Sequence, residues 1–213
     1  PTLYSDIEEI VKKYPNSLIA TTACLGGELS VNTLNLINAE RMGDTDGAAA
    51  AHQNIVNFML WCKEQFGEDF YVECAPGCSA DQIKVNERLV SIAKAFGVKM
   101  VIGSDAHYLK KEDRFVHKAY LNSKGGEREV DEFYEFAYLQ DNEEIIKNLK
   151  KSDYTEDYIL QMFENSYEIF EKIEKYSLAH NQTIPKVEVE DFPKINDDSW
   201  KNYPILADML KSD

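Results

Sequence analysis

The chain has 213 residues, 44% of them hydrophobic, and a formal net charge of −15, enough for one sizeable core or for one domain plus a piece of another. No run approaches the roughly 18 apolar residues that a membrane-spanning helix needs, and the amino end lacks the basic-then-apolar pattern of a secretory signal, so a soluble, cytoplasmic protein is expected. Phosphate binding is driven by Lys and Arg releasing counterions, so the acidic balance argues against this chain gripping DNA alone and reads as a solvated surface; the four cysteines read as reduced thiols, without a disulfide framework.

Residues 5–14 predict a short helix, with Ser5 able to cap it, acids at its start, Lys12 and Lys13 at its end and Pro15 stopping it. Residues 17–22 predict a buried strand that delivers Cys24 to a Gly26-Gly27 turn. A helix is expected over 32–41, then a turn over 43–47, then a longer helix over 48–66 whose Ile55, Phe58, Met59, Cys62 and Phe66 form one apolar stripe. That stripe makes Cys62 core packing and leaves His52 on the surface or flank. Residues 70–74 predict a second strand, Ser79 caps a helix to about Phe96, and Val85, Leu89, Ile92, Ala93 and Phe96 share its apolar face. Cys74 and Cys78, spaced C-x3-C, have no second pair downstream and fall short of a structural zinc signature.

Residues 99–102 predict a third strand, after which Gly103 lets the chain turn and Asp105 and His107 present a carboxylate and an imidazole two residues apart. Such a pair suits zinc or manganese. From spacing alone such a pair is more often a capping Asp beside a packed His, just as a lone thiol at Cys24 is ordinarily a small buried hydrophobe. A helix follows, carrying His117 among apolar residues, a setting more typical of a structural histidine. The acidic, aromatic run from Asp131 to Tyr138 offers rings that stack on bases, but its carboxylates repel phosphate, so packing is the better reading. Helices are expected from Asp141 to about Lys150 and from Thr155 to about Tyr176, the latter lined by Ile159, Met162, Phe163, Phe170 and Ile173. Beyond His180, Pro185, Pro193 and Pro204 predict an extended connector. Alternating strands and helices imply a parallel sheet or barrel with its loops at the strands' carboxyl ends.

The ordered segments Leu18-Ile19-Ala20-x-x-Ala23-Cys24-Leu25-Gly26-Gly27-Glu28, Phe70-Tyr71-Val72-Glu73, Val85-Asn86-Glu87, Ser104-Asp105-Ala106-His107-Tyr108-Leu109, Glu112-Asp113 and His117 resemble the polymerase-and-histidinol-phosphatase (PHP) domain of the bacterial replicative DNA polymerase III α subunit. Asp131-Glu132-Phe133-Tyr134 and the segment from Glu164 to Ile169, similar to an N-T-x-x-I helix, extend the resemblance to about residue 180. The resemblance implies an α/β fold, the later portion of a distorted (βα)7 PHP-type barrel, followed by helices and an extended connector. Residues 1–125 would form the carboxyl-terminal part of the barrel, 126–180 its helical extension, and 181–213 a connector toward the polymerase palm, with 205–210 its first helix.

The same resemblance implies that Cys24, Asp105 and His107 are metal ligands of a zinc- or manganese-dependent phosphoesterase of the 3′–5′ exonuclease type. The family's early His-x-His motif is missing here, since the four histidines, His52, His107, His117 and His180, form no such pair. The start at Pro1 and the end at Asp213 therefore read as those of an excised piece holding part of the cluster, with the Mg-dependent palm outside it. DNA, through the parent polymerase, and other replisome subunits are the implied partners, and an open barrel would expose edges through which the piece self-associates. A metal-free scaffold is the alternative implied function, and a stand-alone PHP phosphatase is a weaker one.

Overall fold

The computed structural model describes residues 2–123, 132–177 and 179. The chain divides into two compact units, Pro1–Glu174 and Lys175–Asp213. In the second, the Ala179 N–H donates to Ser177 Oγ at 3.1 Å. The expected loop at 123–126 beyond Ser123, His180, the connector over 181–213 and the helix over 205–210 lie outside the described residues.

The first unit is mixed α/β and mostly helical, built on one three-stranded parallel sheet. Helix α1, Tyr4–Lys13, is capped by Leu3 and not by Ser5: the Leu3 N–H donates to Asp6 Oδ2 at 2.8 Å. None of its residues is buried; Tyr4 lies edge-on to Trp61 at 4.4 Å, and the Trp61 indole donates to Glu8 at 2.8 Å. Strand β1 is only Ala20–Thr21, a correction to the buried strand expected over 17–22. It lies at the edge of the sheet and pairs only with β2, so Ser17, Leu18 and Thr21 stay exposed.

Helix α2 spans Glu28–Met42 and ends on a left-handed Gly43, starting one turn earlier than the apolar pattern suggests. Helix α3 spans Thr45–Phe66, with the Asp44 carboxylate accepting the Gly47 N–H. Ile55, Met59 and Cys62 are buried as the stripe requires, and His52 is exposed. Strand β2 is Phe70–Cys74, and α4 is Ala80–Phe96, capped by Ser79 and closed by a left-handed Gly97. Strand β3 is Lys99–Ile102. The order is β1-β2-β3, all parallel, with Ala20 opposite Phe70 and Tyr71 opposite Lys99. The core forms where Met59, Val72, Leu89, Met100 and Ile159 meet.

After the sheet come α5, Arg114–Asn122, with no buried residue, α6, Asn142–Leu149, capped by Asp141, and α7, Glu156–Lys172, capped by Thr155. Ile159 and Met162 of α7 are fully buried, but Phe170 and Ile173 are 68% and 53% exposed; the apolar spacing continues past the point where the sheet ends. Helix α7 instead spends polar side chains on the sheet. Asn165 Nδ2 donates to the Met100 carbonyl at 2.7 Å, and the Ile102 N–H donates to Ser166 Oγ at 3.0 Å. These two backbone groups alternate with those that face β2, so the outer side of β3 is satisfied by a helix and not by another strand.

At the other end of the sheet Tyr71 Oη donates to Glu168 at 3.1 Å, Lys99 pairs with Glu168 at 2.6 Å, and Lys172 bridges Glu168 at 3.1 Å and Asp69 at 2.9 Å. The hydrogen bond from Lys99, aided by those from Lys172 and Tyr71 and opposed by partial burial, draws the Glu168 carboxyl from 4.5 to about 2. A depressed carboxyl pKa adds stability that is fully present above the unfolded value and is lost as pH falls through the folded one. Unfolding free energy should therefore drop by about 1–2 kcal/mol between pH 4.5 and 2 after allowance for solvent screening. Glu168→Gln should flatten that slope in urea titrations, and an unchanged slope would remove Glu168 as its source.

Candidate functional site

The carboxyl ends of the three strands form a rim, and both sequence motifs sit on it. Two non-glycine residues with positive φ follow its edge strands, Ala23 at 59° after β1 and Asp105 at 42° after β3. Such backbone is costly and persists where surrounding contacts enforce it, most often at functional sites. On the first loop the Gly27 N–H donates to the Cys24 carbonyl at 2.8 Å, and a Cβ on Gly27 would stand 2.4 Å from the Thr22 carbonyl oxygen. Only glycine lets the turn close this tightly.

Between the loops stands Glu73, the penultimate residue of β2. Thr21 Oγ1 donates to Glu73 Oε2 at 2.6 Å, and the Glu73 N–H donates to Thr22 Oγ1 at 2.9 Å. Its other oxygen lies directly over Gly103, where a Cβ would be 1.8 Å away. Gly103 is thus the space that lets a carboxylate cross from β2 onto β3.

Asp105 and His107 are brought together, with Asp105 Oδ1 3.3 Å from His107 Nε2 and their side chains 22% and 38% exposed. The loop that holds them is tied down from its far side. The His107 N–H donates to the Ala137 carbonyl at 2.7 Å, the Leu139 N–H to the Tyr108 carbonyl at 3.1 Å, and Tyr108 Oη to the Tyr134 carbonyl at 2.5 Å. Ala137 and Tyr138 are buried, so the described end of the aromatic segment packs behind the site. His117 stacks on Tyr108 at 5.4 Å and meets His107 edge-on at 5.6 Å. Burial, followed by the nearby His107 and Arg114, holds the His117 imidazole below its usual pKa, which favours its neutral form. A hollow of about 510 Å³ opens beside these rings, lined by His107, Tyr108, Asp113, Val116, His117 and Tyr120.

Cys24 is half-buried on the same rim, but it does not join the pair: among the described residues no three of His, Cys, Asp and Glu gather closely enough to hold a metal ion. The cause is the sheet, since β1 and β3 are separated by two strand spacings, about 10 Å. Asp105 and His107 offer two donors where a closed zinc site takes four. Asp105 Oδ2 is buried and accepts no hydrogen bond from the protein.

Two of the remaining thiols are buried in the core. Burial pushes Cys62 and Cys74 up to about 12, and Cys74 Sγ donates to Tyr154 Oη at 3.7 Å. Cys78 lies 3.1 Å from Lys151 Nζ, away from any metal-holding group among the described residues.

No protein-family profile matches the chain. Over 193 residues it is 41% identical to the probable DNA polymerase YorL of Bacillus subtilis (strain 168), and equally to the DNA-directed DNA polymerase of Bacillus phage SPbeta; each match covers 90% of this chain and 15% of the relative. The chain is related to one segment of DNA polymerases. The DNA polymerase III subunit alpha of Borreliella burgdorferi is 30% identical over 169 residues, covering 79% of the chain and 13% of that protein. The chain thus spans about a seventh of the length of these curated relatives. Among the described residues no helix is long and apolar enough to cross a membrane.

Sequence reasoning did not single out Glu73 or Gln82 as rim residues. Each carries a signal in retrospect. Glu73 is a charge at the carboxyl end of the otherwise apolar run Phe70-Tyr71-Val72, where parallel sheets keep their chemistry. Gln82 is a polar residue on the apolar face of α4, three and seven positions before Val85 and Leu89.

Proposed function

We propose that this chain is part of a replicative DNA polymerase of the polymerase III α type and forms the later portion of its PHP module, a metal-dependent phosphoesterase acting on DNA ends. The observation that carries the reading is the Asp105–His107 pair at 3.3 Å on the carboxyl-terminal rim of a parallel sheet, within a chain related to DNA polymerases along most of its length. Asp105 and His107 would hold a zinc or manganese ion, with Cys24 from the neighbouring loop and donors from elsewhere in the polymerase completing the set. A bound ion supplies Lewis-acid polarisation of a phosphoryl oxygen. Strained backbone at Asp105 and the bonds to Ala137 hold the pair in place before any ligand arrives. With a net charge of −15, the chain leaves the grip on the duplex to other parts of the polymerase and to its replisome partners.

A scaffold reading, in which the module supports the polymerase without chemistry, is favoured by the failure of three donors to converge among the described residues. Metal analysis of the full-length protein separates the two. Bound zinc or manganese is expected, and Asp105→Asn should release it and lower 3′–5′ degradation of single-stranded DNA by roughly a hundredfold or more, with the far-ultraviolet spectrum unchanged. A metal-free protein, or a variant that degrades DNA normally, would favour the scaffold.

A further inference from the structure

Beside Asp105 lies a small, partly open hollow of about 10 Å³, lined by Ala75, Gly77, Gln82, Ser104, Asp105 and the 136–137 segment. Two of its lining residues carry a buried acceptor that receives no hydrogen bond from any protein donor, Gln82 Oε1 and Asp105 Oδ2. Gln82 is 2% exposed, and its orientation is fixed by a chain of amides. The Ala75 carbonyl accepts from Asn86 Nδ2 at 2.9 Å, and Asn86 Oδ1 accepts from Gln82 Nε2 at 2.9 Å. Because a carbonyl can only accept, the polarity runs one way: Gln82 spends its amide nitrogen on Asn86 and keeps its carbonyl oxygen for another donor.

Two unpartnered acceptors on residues of one small hollow would both be satisfied by a donor with two hydrogens or by a cation. The volume is at the lower limit for one water. A hard cation takes six or more oxygens, and the walls offer, beyond these two atoms, only the Ser104 hydroxyl as a side-chain oxygen.

We propose that this hollow is a one-water site, in which a single ordered water donates one hydrogen to Gln82 Oε1 and the other to Asp105 Oδ2, and that Gln82 is thereby a positioning residue for Asp105. The water anchors the inner carboxylate oxygen and leaves Oδ1 directed toward His107. Outer partners of this kind govern metal affinity through the ligand they orient. That consequence rests on the reading of Asp105 as a metal ligand; the water site does not.

A crystal structure of the full-length protein at about 1.8 Å or better tests the site directly. One ordered peak is expected within hydrogen-bond reach of both oxygens, without anomalous signal after exchange into thallium salts. Two oxygens with no peak between them would overturn the proposal, and so would a thallium signal, which marks a cation. The positioning role is tested by zinc affinity against a chromophoric chelator. Gln82→Met, which removes the acceptor at similar volume, should weaken binding about tenfold, whereas Ile159→Val, a change at a fully buried core residue that does not line the hollow, should leave affinity unchanged. Equal losses in both would mark a general structural effect and overturn the positioning role. If Asp105→Asn also leaves zinc affinity unchanged, the ligand reading fails, while the crystallographic water stands or falls separately.

Discussion

Asn86→Leu should lower the unfolding free energy by about 3 kcal/mol, measured by chemical denaturation of the full-length protein. Asn86 is fully buried and sits at the crossing of three elements: its amide donates to Ala75 after β2 at 2.9 Å and lies 3.5 Å from Ser152 Oγ, and it accepts from Gln82 on α4 at 2.9 Å. Leucine keeps the volume, so little cavity term arises, and the loss comes from stranding the Ala75 carbonyl and the Gln82 amide in a dry interior at about 1–3 kcal/mol each. The Tyr154 hydroxyl, which donates to the Asn86 backbone carbonyl at 2.5 Å, remains satisfied and limits the damage. A leucine variant within about 0.5 kcal/mol of the parent would mean that these groups find water instead.

The double change Asn165→Leu and Ser166→Ala should cost a similar amount, about 3 kcal/mol, and should also make the protein associate with itself. Asn165 is 8% exposed and serves the Met100 carbonyl; Ser166 accepts the Ile102 N–H and returns its own hydrogen to the Met162 carbonyl at 2.9 Å. Removing both leaves one acceptor and one donor bare along the outer side of β3, and such a row invites another strand. The two sites are adjacent, so their effects should not add simply. Sedimentation at increasing concentration reads the second effect; a variant that stays monodisperse would show that α7 covers the edge by bulk alone.

Local chemistry was legible in the sequence where neighbours in the chain are neighbours in space. Asp105 and His107, two residues apart, meet as their spacing suggests, and the stripe of Ile55, Met59 and Cys62 is buried as its period requires. Legibility ends where distance across the sheet decides. Cys24 reaches the expected rim, yet the sequence carries no measure of the two strand spacings between it and His107. Phe170 and Ile173 continue an apolar period, but a period names a face without saying what covers it. The roles of Asn165 and Ser166 depend on strand residues about 65 positions earlier, and that partnership leaves no local trace. Glu73 was hidden for a related reason, since its contacts are with Thr21 on β1 and with Gly103 just after β3.

The hydrogen bonds from α7 to β3 also make the sheet directional in how it can grow. Of its two flanks, the one at Met100 and Ile102 is already occupied by side chains, while β1 contributes only Ala20 and Thr21 and has no strand beyond it among the described residues. The free edge for any further strand is therefore the one at β1. At β3 an asparagine and a serine stand in place of a backbone ladder and terminate the sheet.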